Sequence, residues 1–134
     1  MSNILVQTMT ENELVAQRLN NLRDLCFNNA KEAGWHTDLE TGEIVYRNKG
    51  EMLCLIHSEI SEAMEGERKN LMDDHLPHRK MAEVELADAV IRIMDYAGLY
   101  GYDIGGAVVE KLEYNKTRAD HKIENRKKDG GKNF

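Results

Sequence analysis

Two segments of this chain carry apolar residues at the spacing of one helix face and interrupt that face with pairs of carboxylates set one turn apart. In Glu51-Met-Leu-Cys-Leu-Ile-His-Ser-Glu-Ile-Ser-Glu-Ala-Met64, residues Met52, Leu55, Ile56, Glu59, Glu62 and Ala63 follow the i, i+3, i+4, i+7 pattern. In the second segment Met81, Val84, Glu85, Asp88, Ile91 and Arg92 share a face, while Leu86, Ala89, Val90, Ile93, Met94 and Ala97 make another, more apolar one. That second helix is expected to be buried on two sides, with its acids turned toward a neighbour.

Carboxylates on a core-facing stripe must be protonated, paired with bases or bound to a cation, because burying each one alone costs several kcal/mol. The sequence offers few bases on those faces. Hard oxygen donors without Cys or His at ligand spacing favour Mg²⁺, or Mn²⁺ in its place, over Zn²⁺. Mg²⁺ commonly completes its shell with waters and substrate phosphate oxygens, which points to phosphoryl or nucleotidyl chemistry. A single E-x-x-E or E-x-x-D is ordinary on a solvated helix. Two such pairs, both in line with apolar positions, are much rarer.

At 134 residues the chain is expected to form a single domain, 1–134, that buries a core without disulfides. Its formal net charge of −6 argues against a nucleic-acid surface, and the basic residues gather toward the C-terminal end, from Lys111 to Lys132. Cys26 and Cys54 fall in apolar helical surroundings and are expected to be buried free thiols of a cytoplasmic protein. Neither a signal-peptide pattern nor a long uncharged apolar run is present, so no membrane partner is expected.

Along the chain, residues 1–9 read as a short arm, and Thr10-Glu-Asn-Glu13 is a capping-box pattern opening a first helix to about Glu32. Trp35 to Gly50 reads as an ordered loop with a brief strand or hairpin around the β-prone Glu43 to Tyr46. A second helix is predicted over about Lys49 to Lys69, a polar connector with the sole proline, Pro77, over Asn70 to His78, and a third helix over Arg79 to Tyr100. Asp103 caps a fourth, predicted to reach about Arg126, and 127–134 reads as a flexible tail. Four helices with short connections make an all-α four-helix bundle. On the fourth helix Lys111, Asn115 and Arg118 fall at i, i+4 and i+7, and two cations with an amide on one face suit triphosphate oxygens.

These residues resemble the all-α, MazG-like nucleoside triphosphate pyrophosphohydrolases, the group that includes dCTP pyrophosphatase and the dimeric dUTPases. The resemblance spans about Leu14 to Arg118 and rests on the ordered series E-x-x-E, E-x-x-D and K-x-x-x-N-x-x-R. It implies hydrolysis of a nucleoside triphosphate to the monophosphate and pyrophosphate. It also implies Glu59, Glu62, Glu85 and Asp88 as metal ligands, Lys111, Asn115 and Arg118 as phosphate and sugar contacts, and a homodimer or homotetramer. Glu59 and Glu62 are the expected catalytic carboxylates, with Glu62 as acceptor of the water proton.

In that family the first helix and the loop after it help enclose the nucleoside. Trp35 then suits either stacking on the base or a core or interface position, and Asn28 or Asn29 suits reading the base edge. His57 reads as a packing residue beside the acids, and Asp95 as a supporting acid or a partner for Arg92. Met64-Glu-Gly-Glu-Arg-Lys-Asn70 stands where the dCTP-directed branch has aromatic residues, which favours a purine such as (d)GTP or a broad (d)NTP preference. Two other readings stay open: a phosphoribosyl-ATP pyrophosphohydrolase-like enzyme, and a non-catalytic helical interaction module whose acids pair with Arg79, Arg92, Lys111 and Arg118.

Overall fold

The computed structural model describes residues 8–134 and is all-helical. Its elements are α1 (Glu11–Glu32), α2 (Lys49–Lys69), α3 (Met81–Leu99), α4 (Ile104–Thr117), a 3-10 turn (Ala119–His121) and a short α5 (Ile123–Arg126). Residues 1–7 of the expected N-terminal arm lie outside the described residues. No helix among the described residues is long and apolar enough to cross a membrane. The chain separates into two compact units, one of residues up to Asn20 with Asp103–Phe134, the other Asn21–Tyr102, and α1 contributes its first half to the former and its second half to the latter.

The Asn21–Tyr102 unit is organised around α2 and α3, which run antiparallel. The start of α3 meets the end of α2, where a Cβ on buried Gly66 would lie 3.0 Å from Met81 Cβ, and further along Arg92 of α3 reaches Glu59 of α2. Asn48 caps α2 by accepting from the Glu51 amide, and Asn70 ends it in the left-handed conformation at φ 50°. The connector is ordered: Met72 and Lys80 form an antiparallel bridge, and the buried Asp73 carboxylate accepts from the amides of His75 and Leu76 at 2.9 and 2.7 Å. The loop after α1 carries the expected brief β feature as one bridge, Thr37 to Ile44.

Small residues let α1 approach α3. A Cβ at Gly98 would sit 2.4 Å from Phe27 Cβ, so only glycine permits this contact. The buried apolar set is correspondingly small in volume, with Cys26, Met52 and Met94 beside Ala63, Ala82, Ala89 and Ala97. Burial of α3 on two sides, expected from its sequence, is only partial: Ala89, Met94 and Ala97 of its second face are buried, whereas Leu86, Val90 and Ile93, at i, i+4 and i+7, are exposed. Cys54 is likewise exposed rather than buried, and both cysteines are free.

In the other unit, the capping box closes reciprocally, the Glu13 amide donating to Thr10 Oγ1 at 3.1 Å and the Thr10 amide to Glu13 Oε2 at 2.9 Å. Asp103 caps α4 by accepting from the Gly106 amide, and a Cβ on Gly105 would collide with the Ala16 carbonyl oxygen, which holds α4 against the first half of α1. The fourth helix does not continue to Arg126. It stops at Thr117, whose hydroxyl donates back to the Tyr114 carbonyl at 2.8 Å, and Arg118 turns extended at φ −69°, ψ 128° to pair with Asp120. Asn115 and Thr117 are weak helix formers, so a local ion pair suffices to end the helix. Beyond α5, Arg126 donates to the carbonyls of Lys132 and Asn133.

Candidate functional site

The antiparallel pairing of α2 and α3 brings together the acids that the sequence separates by about 25 residues. One carboxylate oxygen each from Glu59, Glu85 and Asp88 lies within 4.8 Å of the others, a spacing at which one metal ion can be held. Glu59 is buried, Glu85 and Asp88 are half-buried, and Glu62, one turn on from Glu59, is exposed at the rim. Glu62 lies outside that trio, but its carboxylate acts with Glu59 on the proton affinity of Glu85.

The electrostatics are those of a crowded acid site. Burial first, and then the Glu59 and Glu62 carboxylates, push the Glu85 carboxyl up to about 7. Asp88 is raised too, by burial and by Glu59 and Asp73, against the lowering influence of Arg92. Three acidic neighbours, Glu59, Glu62 and Asp73, thus act on Glu85 and Asp88, and a proton on Glu85 relieves part of the repulsion that a divalent cation would relieve more fully. The donor set, oxygen only with no sulfur or imidazole among the clustered groups, fits Mg²⁺ or Mn²⁺.

One of the few bases on these faces does reach the acids. Arg92 Nε donates to Glu59 Oε1 at 2.6 Å from four residues beyond Asp88 on α3. Its position on the acid face was legible in the helical spacing, but which of the acids it pairs with was not. Asp95 does not pair with Arg92; its Oδ1 lies 2.6 Å from Nε2 of His36, the most deeply buried large side chain among the described residues. His36 follows the end of α1 and tilts against Phe27 at 5.5 Å between ring centroids. Asp73 also escaped the sequence reading, because its turn residues mark a connector and not the proximity of that connector to Asp88.

A cavity of about 740 Å³ opens beside the cluster, between the second half of α1 and the α2–α3 pair. Glu59, Asp88 and Arg92 line it with Asp95, Arg47 and the apolar Leu22, Leu25, Leu55 and Ile91. Of the expected base-binding residues, Trp35 and Asn29 line this cavity and Asn28, one position round the helix, does not. Trp35 is 66% exposed, which removes it from the core. Cys26 also lines the cavity, its thiol pushed up by burial and then by the Asp95 carboxylate. His57 is exposed.

Lys111, Asn115 and Arg118 belong to the other unit. Lys111 Nζ sits 4.6 Å from the Tyr114 ring centroid, and the buried amide oxygen of Asn115 accepts no hydrogen bond among the described residues. Arg118 is the residue that ends α4, engaged with Asp120 at 3.0 and 2.7 Å, so the three do not share one continuous helical face. Compared with known proteins, the chain matches no family model, no curated protein and no solved structure.

Proposed function

We propose that the protein is a metal-dependent nucleoside triphosphate pyrophosphohydrolase. The observation that carries this reading is that Glu59 and Asp88, two members of the acid cluster, line one cavity together with Trp35 and Asn29. That arrangement sets a cation-seeking group beside a chamber with an aromatic wall, a polar amide and an apolar side, and its volume suits a nucleotide-sized ligand.

In the proposed reaction water attacks the α-phosphorus, a new P–O bond forms, and the bond from that phosphorus to the bridging oxygen breaks. The nucleoside monophosphate and pyrophosphate are released. Bound at Glu59, Glu85 and Asp88, Mg²⁺ or Mn²⁺ would neutralise phosphate oxygens and acidify the attacking water. The exposed Glu62, whose charge acts on Glu85, accepts the water proton. Arg92 lines the same cavity, and were a cation to take over Glu59 its guanidinium would be available to grip phosphate. The phosphate and sugar roles of Lys111, Asn115 and Arg118, which lie in the other unit, rest on the resemblance alone. The exposed stripes Leu53, Ile60 and Met64 on α2 and Leu86, Val90 and Ile93 on α3 support self-association.

The test is incubation with each common ribo- and deoxyribonucleoside triphosphate plus Mg²⁺ or Mn²⁺, resolving pyrophosphate from phosphate. Monophosphate and pyrophosphate in equal amounts are expected, with Glu59→Gln, Glu62→Gln, Glu85→Gln and Asp88→Asn each abolishing turnover in a folded protein. Absence of turnover with every triphosphate would return weight to the non-catalytic module, which the 2.6 Å Arg92–Glu59 ion pair favours.

A further inference from the structure

We infer that Asp95, held by His36, is the base-reading residue of the cavity and that the base it selects is guanine. The inference rests on the proposed nucleotide site and adds a residue, a contact and a specificity to it.

Position comes first. Asp95 stands seven residues beyond Asp88 on α3, nearly two turns, so it returns to the same helix face about 10 Å further along the axis. Both residues line the same cavity. That displacement matches the reach from the α-phosphate of an extended nucleotide to the far edge of its base. A ligand with its phosphates at the acid cluster therefore brings its base edge to Asp95, beside Trp35 and Asn29.

Hydrogen bonding supplies the chemistry. His36 is 2% exposed, and its Nδ1 has no partner among the described residues. A hydrogen on Nδ1 would be a buried donor without an acceptor, so the imidazole carries its hydrogen on Nε2 and donates it to Asp95 Oδ1 at 2.6 Å. That single bond fixes the carboxylate and leaves Oδ2 with no hydrogen bond from any described residue. Arg92, the nearest cation in sequence, pairs with Glu59 and not with Asp95. A carboxylate has about four acceptor sites, so Asp95 retains capacity for two further donors side by side.

Among the common bases only guanine presents two adjacent donors, its ring N1–H and its exocyclic amine. Adenine and cytosine each set one amine beside a ring-nitrogen lone pair, which a carboxylate repels. Uracil and thymine set one N–H between two carbonyl oxygens. A fixed carboxylate that accepts only is thus matched to guanine by both contacts and mismatched to the others by at least one.

The test measures binding of dGMP, dIMP and dAMP to the full-length protein with Mg²⁺, and in parallel hydrolysis of the three triphosphates. The inosine analogue lacks only the exocyclic amine, so it probes the contact without altering the protein. Removing one charge-assisted hydrogen bond is expected to weaken binding about tenfold to a hundredfold for dIMP against dGMP. Asp95→Asn should erase that difference, since its amide nitrogen cannot accept. His36→Phe should reduce it and His36→Gln restore it, whereas a merely structural role for the pair would lower stability and leave the dGMP to dIMP ratio alone. Equal binding of dGMP and dIMP to the unaltered protein, or a ratio unmoved in Asp95→Asn, overturns the inference even if triphosphates are hydrolysed. Guanine-selective binding without any hydrolysis sustains it and refutes the pyrophosphohydrolase reading. Failure to bind any of the nucleotides overturns the inference, and if no triphosphate is hydrolysed either, the pyrophosphohydrolase reading falls with it.

Discussion

Replacing Glu85 by Gln tests the acid cluster through stability alone, with no assumption about substrate. The Glu85 carboxyl is pushed from its ordinary 4.5 up to about 7, by burial first and by Glu59 and Glu62 after it. A folded-state value above the unfolded one means that the stabilising contribution is complete below about pH 4.5 and is lost as pH rises through about 7. Carried in full, keeping this carboxylate ionised near pH 8 would cost about 3 kcal/mol. Glu85 is only half-buried, and water screens its neighbours, which lowers the expected cost to about 1 kcal/mol. Gln preserves the shape of the protonated acid and donates from its amide to Glu59 or Glu62 without titrating. In chelator, Glu85→Gln should therefore be more stable than the parent by about 1 kcal/mol near pH 8, about 3–4 °C in Tm for a chain of this size, and no more stable near pH 4. Denaturant unfolding at the two pH values measures it. A variant equal to or less stable than the parent near pH 8, or stabilised equally at both, would refute the crowded-acid account.

Addition of Mg²⁺ or Mn²⁺ at about 100 times its dissociation constant should stabilise the parent by about 2.7 kcal/mol in a thermal melt, and Asp88→Asn should lose most of that gain. Arg92→Met should weaken the metal-free protein by about 1–3 kcal/mol, because Glu59 is buried and loses its 2.6 Å partner, and metal should restore the loss; calorimetry with and without Mg²⁺ separates the two. Gly98→Ala forces a Cβ to 2.4 Å from Phe27, and a loss of about 2 kcal/mol or more is expected by chemical denaturation. Leu86→Asp with Val90→Asp places charge on the exposed α3 stripe and should shift sedimentation toward the monomer without lowering helicity.

Helix positions were open to a one-dimensional reading because caps and periodicity act over a few residues. Thr10 and Glu13 form the capping box that their spacing announces, α2 spans Lys49–Lys69 as predicted, and the acids of α2 and α3 lie on the faces that meet. The end of α4 at Thr117 was harder to see, because it turns on an ion pair between Arg118 and Asp120 whose worth depends on geometry. Cys54 and the Leu86, Val90 and Ile93 stripe were expected inside, and they lie outside. Periodicity reports which residues share a face and not whether anything covers it.

The residue types and their local spacing were sufficient to determine the all-helical chain, the pairing of carboxylates one turn apart and the oxygen-only donor set. Tertiary structure alone decided which acids come within one ion's reach, that Arg92 neutralises Glu59, and that a cavity joins the cluster to Trp35. It also decided that Asp95 answers to His36, a residue 59 positions away. The physical reason is the range of the forces. Caps and helical periodicity act within a turn or two, whereas a carboxylate's partner, burial and proton affinity depend on charges delivered by other helices and summed over the space they share.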